Sequence, residues 1–230
     1  MPPLSLGNPH LDYVLGGGIQ QQKCTILAGE PGSGKTTLAI QFITDPNIID
    51  GKCAYLCIDK KPENIMKKAT QLNPSAKTHI ESGDLKFVEI AIDDWQSDHS
   101  INDLLLSIQL QIDAFFQNFK PSRVIVDSLL PYPLVGSHAQ QKQYFMREFL
   151  QIIASYNATS IALLYDVSVH HFLWLYTGLV SDQLIFTRSA DLDYETYWVA
   201  VSKNNDHNHK GKYRYTFDSK KGIHLKNRLC

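Results

Sequence analysis

Residues 28–38 read "AGEPGSGKTTL", and the order of residue types in this stretch decides the fold. From Gly29 to Thr36 it runs glycine, four residues, then Gly-Lys-Thr. The apolar run "CTILAG" (24–29) precedes it, and the helix-forming run "GKTTLAIQFI" (34–43) follows. A strand that turns through glycines into a helix N-terminus is a phosphate cradle. Gly32 and Gly34 let successive backbone N–H groups turn inward around phosphate oxygens, in conformations a side chain would obstruct. The helix N-terminus adds partial positive charge. Lys35 is placed to reach the β- and γ-phosphates, and the Thr36 hydroxyl to complete a magnesium shell. The expected nucleotide-binding set is Glu30, Pro31, Gly32, Ser33, Gly34, Lys35, Thr36 and Thr37, with ATP and Mg2+ as the expected cofactors.

Working outward, short apolar runs alternate with helical patterns through the first two-thirds of the chain. "CAYLCID" (53–59) and "LKFVEIAI" (85–92) read as strands, and "PENIMKKATQL" (62–72) as a helix opened by Pro62 with Glu63 in its first turn. Leu104, Leu105, Ile108, Ile112, Phe115 and Phe116 fall at helical spacing between Ile101 and Phe119. "RVIVDSLL" (123–130) is almost continuously apolar, as a parallel strand buried on both faces must be. A helix over about 138–156 turns Phe145, Phe149, Ile152 and Ile153 inward, and "TSIALLYDV" (159–167) is a further strand. Such βα repetition predicts an α/β fold with a mainly parallel central sheet flanked by helices. The final third differs. "DQLIFTR", "TYWVAVSK" and "YRYTFD" follow one another across short polar connections and predict antiparallel strands at the sheet edge. With no internal repeat or long linker, one domain over 1–230 is expected.

Asp127 ends the run "VIVD". A carboxylate at the carboxyl end of a strand beside the loop strand can hold magnesium, so Thr36 and Asp127 are the expected metal ligands. The balance of 22 basic and 23 acidic residues gives no global attraction to nucleic acid. Polar residues break every apolar run short of a membrane span, and "MPPLSLGNPH" lacks a secretory leader's basic start and apolar core. A cytoplasmic protein without membrane insertion is therefore expected. Cys24, Cys53, Cys57 and Cys230 form no Cys-x-x-Cys pair and read as reduced thiols, with Cys53 and Cys57 on one face of a strand. "DHNH" (206–209) reads as a solvated turn, and Lys60, Lys61, Lys67 and Lys68 as a solvated helix face. His170 and His171 read as a helix start, and the aromatic stretch 172–179 as core or a subunit contact.

"LDYVLGGGI" (11–19) resembles the LDxxLGGGI lead-in of the KaiC-like branch of the RecA superfamily. "GSGKTTLAIQF", "KPENIMKKA", "VIVDSL" and the C-terminal "YWVAVSKNNDHNHKGKYRYTFDSKKGIHL" extend that resemblance over essentially the whole chain. It implies a RecA-like P-loop ATPase core and homo-oligomeric assembly, commonly a hexameric ring with ATP between subunits. Three departures stand beside the matches. Where the family carries two adjacent glutamates, one of which activates the attacking water, this chain has Asp59 and Lys60. Asp59 is the candidate base, yet its carboxylate is one methylene shorter, and a misplacement of about 1 Å costs on the order of a hundredfold in rate. Where the family places a lysine and, two residues later, an arginine that reach the neighbouring subunit's γ-phosphate, Lys203 keeps the first and Asn205 replaces the second. Gln20 and Gln22 stand where the family prefers proline and glycine.

The expected catalytic set is thus Lys35, Asp59 and Asp127, with Lys203 added to the nucleotide contacts. The expected function is an ATP-binding switch of conformation or assembly, with slow or absent hydrolysis. Two readings from other classes stay open: a DNA-repair mediator resembling RadB or the recombinase paralogues, and a non-catalytic ATP-binding adaptor of a secretion or motility machine. Asp166, where recombinases tend to show a polar amide, weighs against the first.

Overall fold

The computed structural model describes residues 1–45, 51–58, 60–92, 100–134, 136–165, 180–191, 194–204, 211–218 and 222–228. In chain order the elements are α1 (Pro9–Val14), β1 (Cys24–Gly29), α2 (Lys35–Thr44), β2 (Cys53–Cys57), α3 (Pro62–Leu72), α4 (Ala76–Glu81), β3 (Leu85–Glu89), α5 (Ile101–Phe119) and β4 (Arg123–Asp127). They continue as a 3-10 turn (Tyr132–Leu134), α6 (Ala139–Ser155), β5 (Thr159–Leu164), β6 (Val180–Asp191), β7 (Tyr194–Asn204), β8 (Gly211–Asp218) and β9 (Gly222–Arg228). All described strands join one sheet in the order β3-β2-β4-β5-β1-β6-β7-β8-β9. The pairs from β3 to β6 are parallel, and the pairs from β6 to β9 antiparallel.

Residues one apart on a strand point to opposite faces, and this period builds two cores. Leu27, Tyr55, Ile125 and Ile161 face α1, α2 and α3, packing with Leu11, Leu38, Phe42 and Ile65. Ile26, Leu56, Val126 and Ala162 face α5 and α6, packing with Leu104, Ile108, Phe145 and Phe149. Every residue of β1, β2, β4 and β5 is buried, which is why these strands read as continuous apolar runs. The first core runs on through Phe186, Tyr215 and Ile223, so the antiparallel strands share a packed face with the phosphate-loop helix.

Local signals explain the helix ends. Asn8 caps α1 by accepting from the Leu11 N–H ahead of Pro9. Ser100 and Asp103 form a reciprocal capping box at the start of α5. Phe115, Phe116 and Ile152 sit at the edge of the second core, packed against it while still partly exposed. Cys53 and Cys57 share the first core with Tyr55, while Cys24 lies in the second. Four short elements have no counterpart in the sequence reading: α1, α4, the 3-10 turn and β9.

Candidate functional site

The parallel strands β2, β4, β5 and β1 are neighbours, and their carboxyl ends carry Lys60, Asp127, Tyr165 and the loop that follows Gly29. Ligands of open parallel sheets bind at this end. The loop closes onto α2 through Gly34, whose φ of 87° lies in the left-handed region that a side chain disfavours. At its start the backbone is equally tight, because a Cβ on Gly29 would lie 2.3 Å from the Phe186 carbonyl oxygen of β6. A third support comes from β8: the buried Tyr215 hydroxyl donates to the Ser33 carbonyl.

Lys35 is 2 % exposed. Its ammonium donates to the carbonyls of Gly29 and Glu30, each at 2.7 Å, and to Ser33 Oγ at 3.3 Å. The loop thus holds its own cation at the cradle it forms. Burial pushes the Lys35 pKa down to about 8, helped by the positive charge of Lys60 and opposed by Asp127 and Glu30. Lys35 and Lys60 both stack on Tyr165, each ammonium 4.4 Å from the ring centroid.

Asp127 is fully buried. Its Oδ2 accepts from the Tyr55 hydroxyl at 2.5 Å and from Lys60 Nζ at 2.8 Å. Burial and the adjacent carboxylate hold the Tyr55 pKa well above its ordinary value, so it stays a donor. Asp127 Oδ1 has no hydrogen-bond partner among the described residues. Lys60 Nζ also donates to Thr36 Oγ1 at 3.4 Å and to the Tyr165 hydroxyl, and that hydroxyl lies 3.2 Å from Thr36 Oγ1.

These placements sort the expected residues. Glu30, Pro31, Gly32, Ser33, Gly34, Lys35 and Thr36 come together with Asp127, and Thr37 follows in the first turn of α2. Lys60 leaves the solvated face expected for it and enters the site, while Lys67 and Lys68 remain exposed on α3. Lys203 lies in β7, paired with Gln183 of β6, which in turn pairs with Ile26 of β1. Its backbone therefore sits toward the end of the sheet opposite the loop. Asp59, Asp166, His170, His171, residues 172–179, Asn205 and the "DHNH" turn lie outside the described residues. Sequence reasoning missed Tyr55, Tyr165 and Tyr215. For Tyr165 the available signal was its position just past a strand that neighbours the loop strand.

Thr36 Oγ1 and the Asp127 carboxylate are hard oxygen ligands of the kind magnesium takes, but the Lys60 ammonium lies against both, so the residues as they stand do not fit the ion. Thr36 and Asp127, the expected metal ligands, would hold an ion only with Lys60 displaced, and an ion so held would supply positive charge to the phosphate oxygens. Among the described residues no group of three or more His, Cys, Asp or Glu side chains gathers to hold a metal elsewhere, and no helix is long and apolar enough to cross a membrane.

A sequence profile of the ATPase family described as "ATPase: KaiC" matches residues 4–171. The circadian clock protein KaiC2 of Synechocystis is 29% identical over 145 residues, 63% of this chain and 24% of that protein. A DNA repair protein RadA of Rickettsia bellii is 34% identical over 71 residues, 30% of this chain and 16% of that one. The chain thus spans about a quarter, or less, of the length of these curated relatives. In fold it is similar to a KaiC-like protein of the hyperthermophilic archaeon Pyrococcus horikoshii OT3. The TM-score is 0.76 at 15% identity, covering 98% of this chain and 99% of that one.

Proposed function

Because the chain belongs to the KaiC family of ATPases, we propose that it binds ATP at the 29–36 loop and uses it as a switch of conformation or assembly, with hydrolysis slow or absent. The observation that carries this reading is the pairing of an intact loop, with Lys35 at its cradle, to a lysine ammonium 2.8 Å from the Asp127 carboxylate. Hydrolysis is in-line attack of water on the γ-phosphate, giving ADP and phosphate. It needs a group that accepts or orients the water's proton. Past the end of β2, among the described residues, the side chain turned into the site is the ammonium of Lys60, which has only protons to donate. Lys35 and the loop amides bind and orient the phosphates, Tyr55 and Lys60 fix Asp127, and Asp59 is the candidate left to orient water.

In this reading the domain assembles into a homo-oligomer with nucleotide between copies, and Lys203 serves the neighbour's phosphates. The test is mass measurement with and without ATP and Mg2+, run beside phosphate release. A nucleotide-dependent change of mass with turnover well below about 1 per second is expected. A monomer indifferent to ATP, or turnover typical of a good enzyme, would overturn it. The similarity to a DNA repair protein supports a second reading, in which the chain binds single-stranded DNA. Salt-dependent binding at low ionic strength is its signature.

A further inference from the structure

In a P-loop nucleotide site the magnesium ion lies between the loop threonine and the strand-end aspartate. Here that interval is spanned by a positive charge belonging to the chain. Lys60 Nζ is 2.8 Å from Asp127 Oδ2 and 3.4 Å from Thr36 Oγ1, the two groups that would hold the metal. We propose that Lys60 is a resident cation acting in the metal's place, so that this site takes a nucleoside triphosphate free of divalent metal. The inference rests on the reading of the loop as a nucleotide site.

Three features make the ammonium a fixture rather than a passing contact. Asp127, its principal partner, is fully buried and anchored by Tyr55. The Tyr165 hydroxyl accepts a second N–H, and the ring lies 4.4 Å beneath the charge. The Lys60 side chain is 31 % exposed, so it is open to a ligand on one side while tethered on the other. An ammonium has three N–H donors. The 3.4 Å contact to Thr36 is the long one, and a phosphate oxygen arriving at the loop can replace it without disturbing the pair with Asp127. Lys35 then holds the phosphates from the loop side and Lys60 from the strand side, each ammonium 4.4 Å from the Tyr165 ring centroid. A divalent ion at the same place would have to displace a tethered like charge, an arrangement that Coulomb repulsion opposes.

The experiment is equilibrium binding of ATP to the full chain by titration calorimetry, once in excess EDTA and once in excess Mg2+. The wild-type dissociation constant is expected to differ between the two by less than about threefold. Lys60→Gln is expected to weaken binding in EDTA by on the order of tenfold or more, the loss of one charge-assisted contact, and to regain affinity when Mg2+ is added. Lys60→Arg, which keeps the charge, is expected to bind in EDTA within a few-fold of wild type. The wild-type comparison stands whether or not either variant folds. Wild-type binding that weakens tenfold or more on removing Mg2+ would overturn the resident-cation role and leave the nucleotide site standing. An EDTA affinity unchanged in Lys60→Gln would overturn it as well. No binding in either condition would overturn both readings.

Discussion

Tyr215→Phe isolates the support that the antiparallel strands give the phosphate loop. Tyr215 is 1 % exposed, and its hydroxyl donates to the carbonyl of Ser33, itself fully buried. Its ring meets Phe186 edge-on at 5.6 Å and 78°, and leans on Tyr197 at 5.5 Å. Phenylalanine keeps those ring contacts and removes only the donor. A buried carbonyl deprived of its donor costs about 1–3 kcal/mol. In a chain of this size each kcal/mol lowers the melting temperature by about 2–4 °C, so a fall of about 5 °C is expected. The lost bond lies inside the cradle. If roughly 1 kcal/mol of the loss falls on the loop's binding-ready form, ATP affinity drops about fivefold. Thermal unfolding and ATP titration are read on the same preparation, with Tyr213→Phe as the control two residues along the same strand. A variant that melts lower yet binds ATP as tightly as wild type would refute the bracing of the loop. A variant unchanged in both would refute the hydrogen bond's contribution altogether.

Gly34→Ala forces a side chain onto a backbone at φ 87°, a strain of about 1–2 kcal/mol, within the loop proposed to cradle phosphate. ATP binding weakened more than tenfold is expected by titration, and unchanged affinity would contradict the cradle. Alkaline pH should unfold the protein sharply. Burial pushes the Cys24 and Cys53 thiols up to about 11 and Cys57 to about 12, from 9.0. The unfolded chain therefore loses these protons first, and the stability they contribute is complete below about pH 9 and lost as pH rises through 11–12. Each raised unit corresponds to about 1.4 kcal/mol. Lys35, lowered to about 8, works in the opposite sense between 8 and 10.5 but is a single group against three. Urea unfolding midpoints should fall between pH 9 and 11, and a flat profile would show the thiols already exposed.

The parallel half of the fold was legible because burial on both faces leaves a plain mark. The runs at 24–29, 53–57, 123–127 and 159–164 are strands buried throughout, and the intervening helices show their inward residues at helical spacing. β9 escaped because Gly222–Arg228 alternates Ile223 and Leu225 with polar residues, a pattern too short to distinguish from a tail. The loop and Asp127 were legible as motifs. Lys60 was not, since charge adjacency in sequence placed it with Lys61, Lys67 and Lys68. Its ammonium instead meets Asp127, a residue far along the chain. Tyr55 was hidden for a similar reason, as a tyrosine inside an apolar strand reads as core until its hydroxyl finds a carboxylate 72 residues away.

The sheet's topology also bears on how copies of the chain relate to the site. The phosphate loop leaves the carboxyl end of β1 at Gly29, and Phe186 of β6 and Val199 of β7 are level with it. Lys203 is instead level with Gln183 and Ile26, three β1 residues earlier. At about 3.3 Å per residue along a strand and about 4.8 Å per strand across the sheet, its backbone lies roughly 14 Å from Gly29, and the phosphates would lie beyond. That gap is longer than a lysine side chain spans, so within one copy the Lys203 backbone lies out of reach of the loop. Lys60, by contrast, reaches Asp127 and Thr36 within its own copy. If Lys203 meets a phosphate at all, that phosphate belongs to another copy, and nucleotide held between copies would join a loop end to a Lys203 end. Under the proposed switch, Lys60 would therefore serve the nucleotide of its own copy, and a phosphate contact by Lys203 would require a second copy.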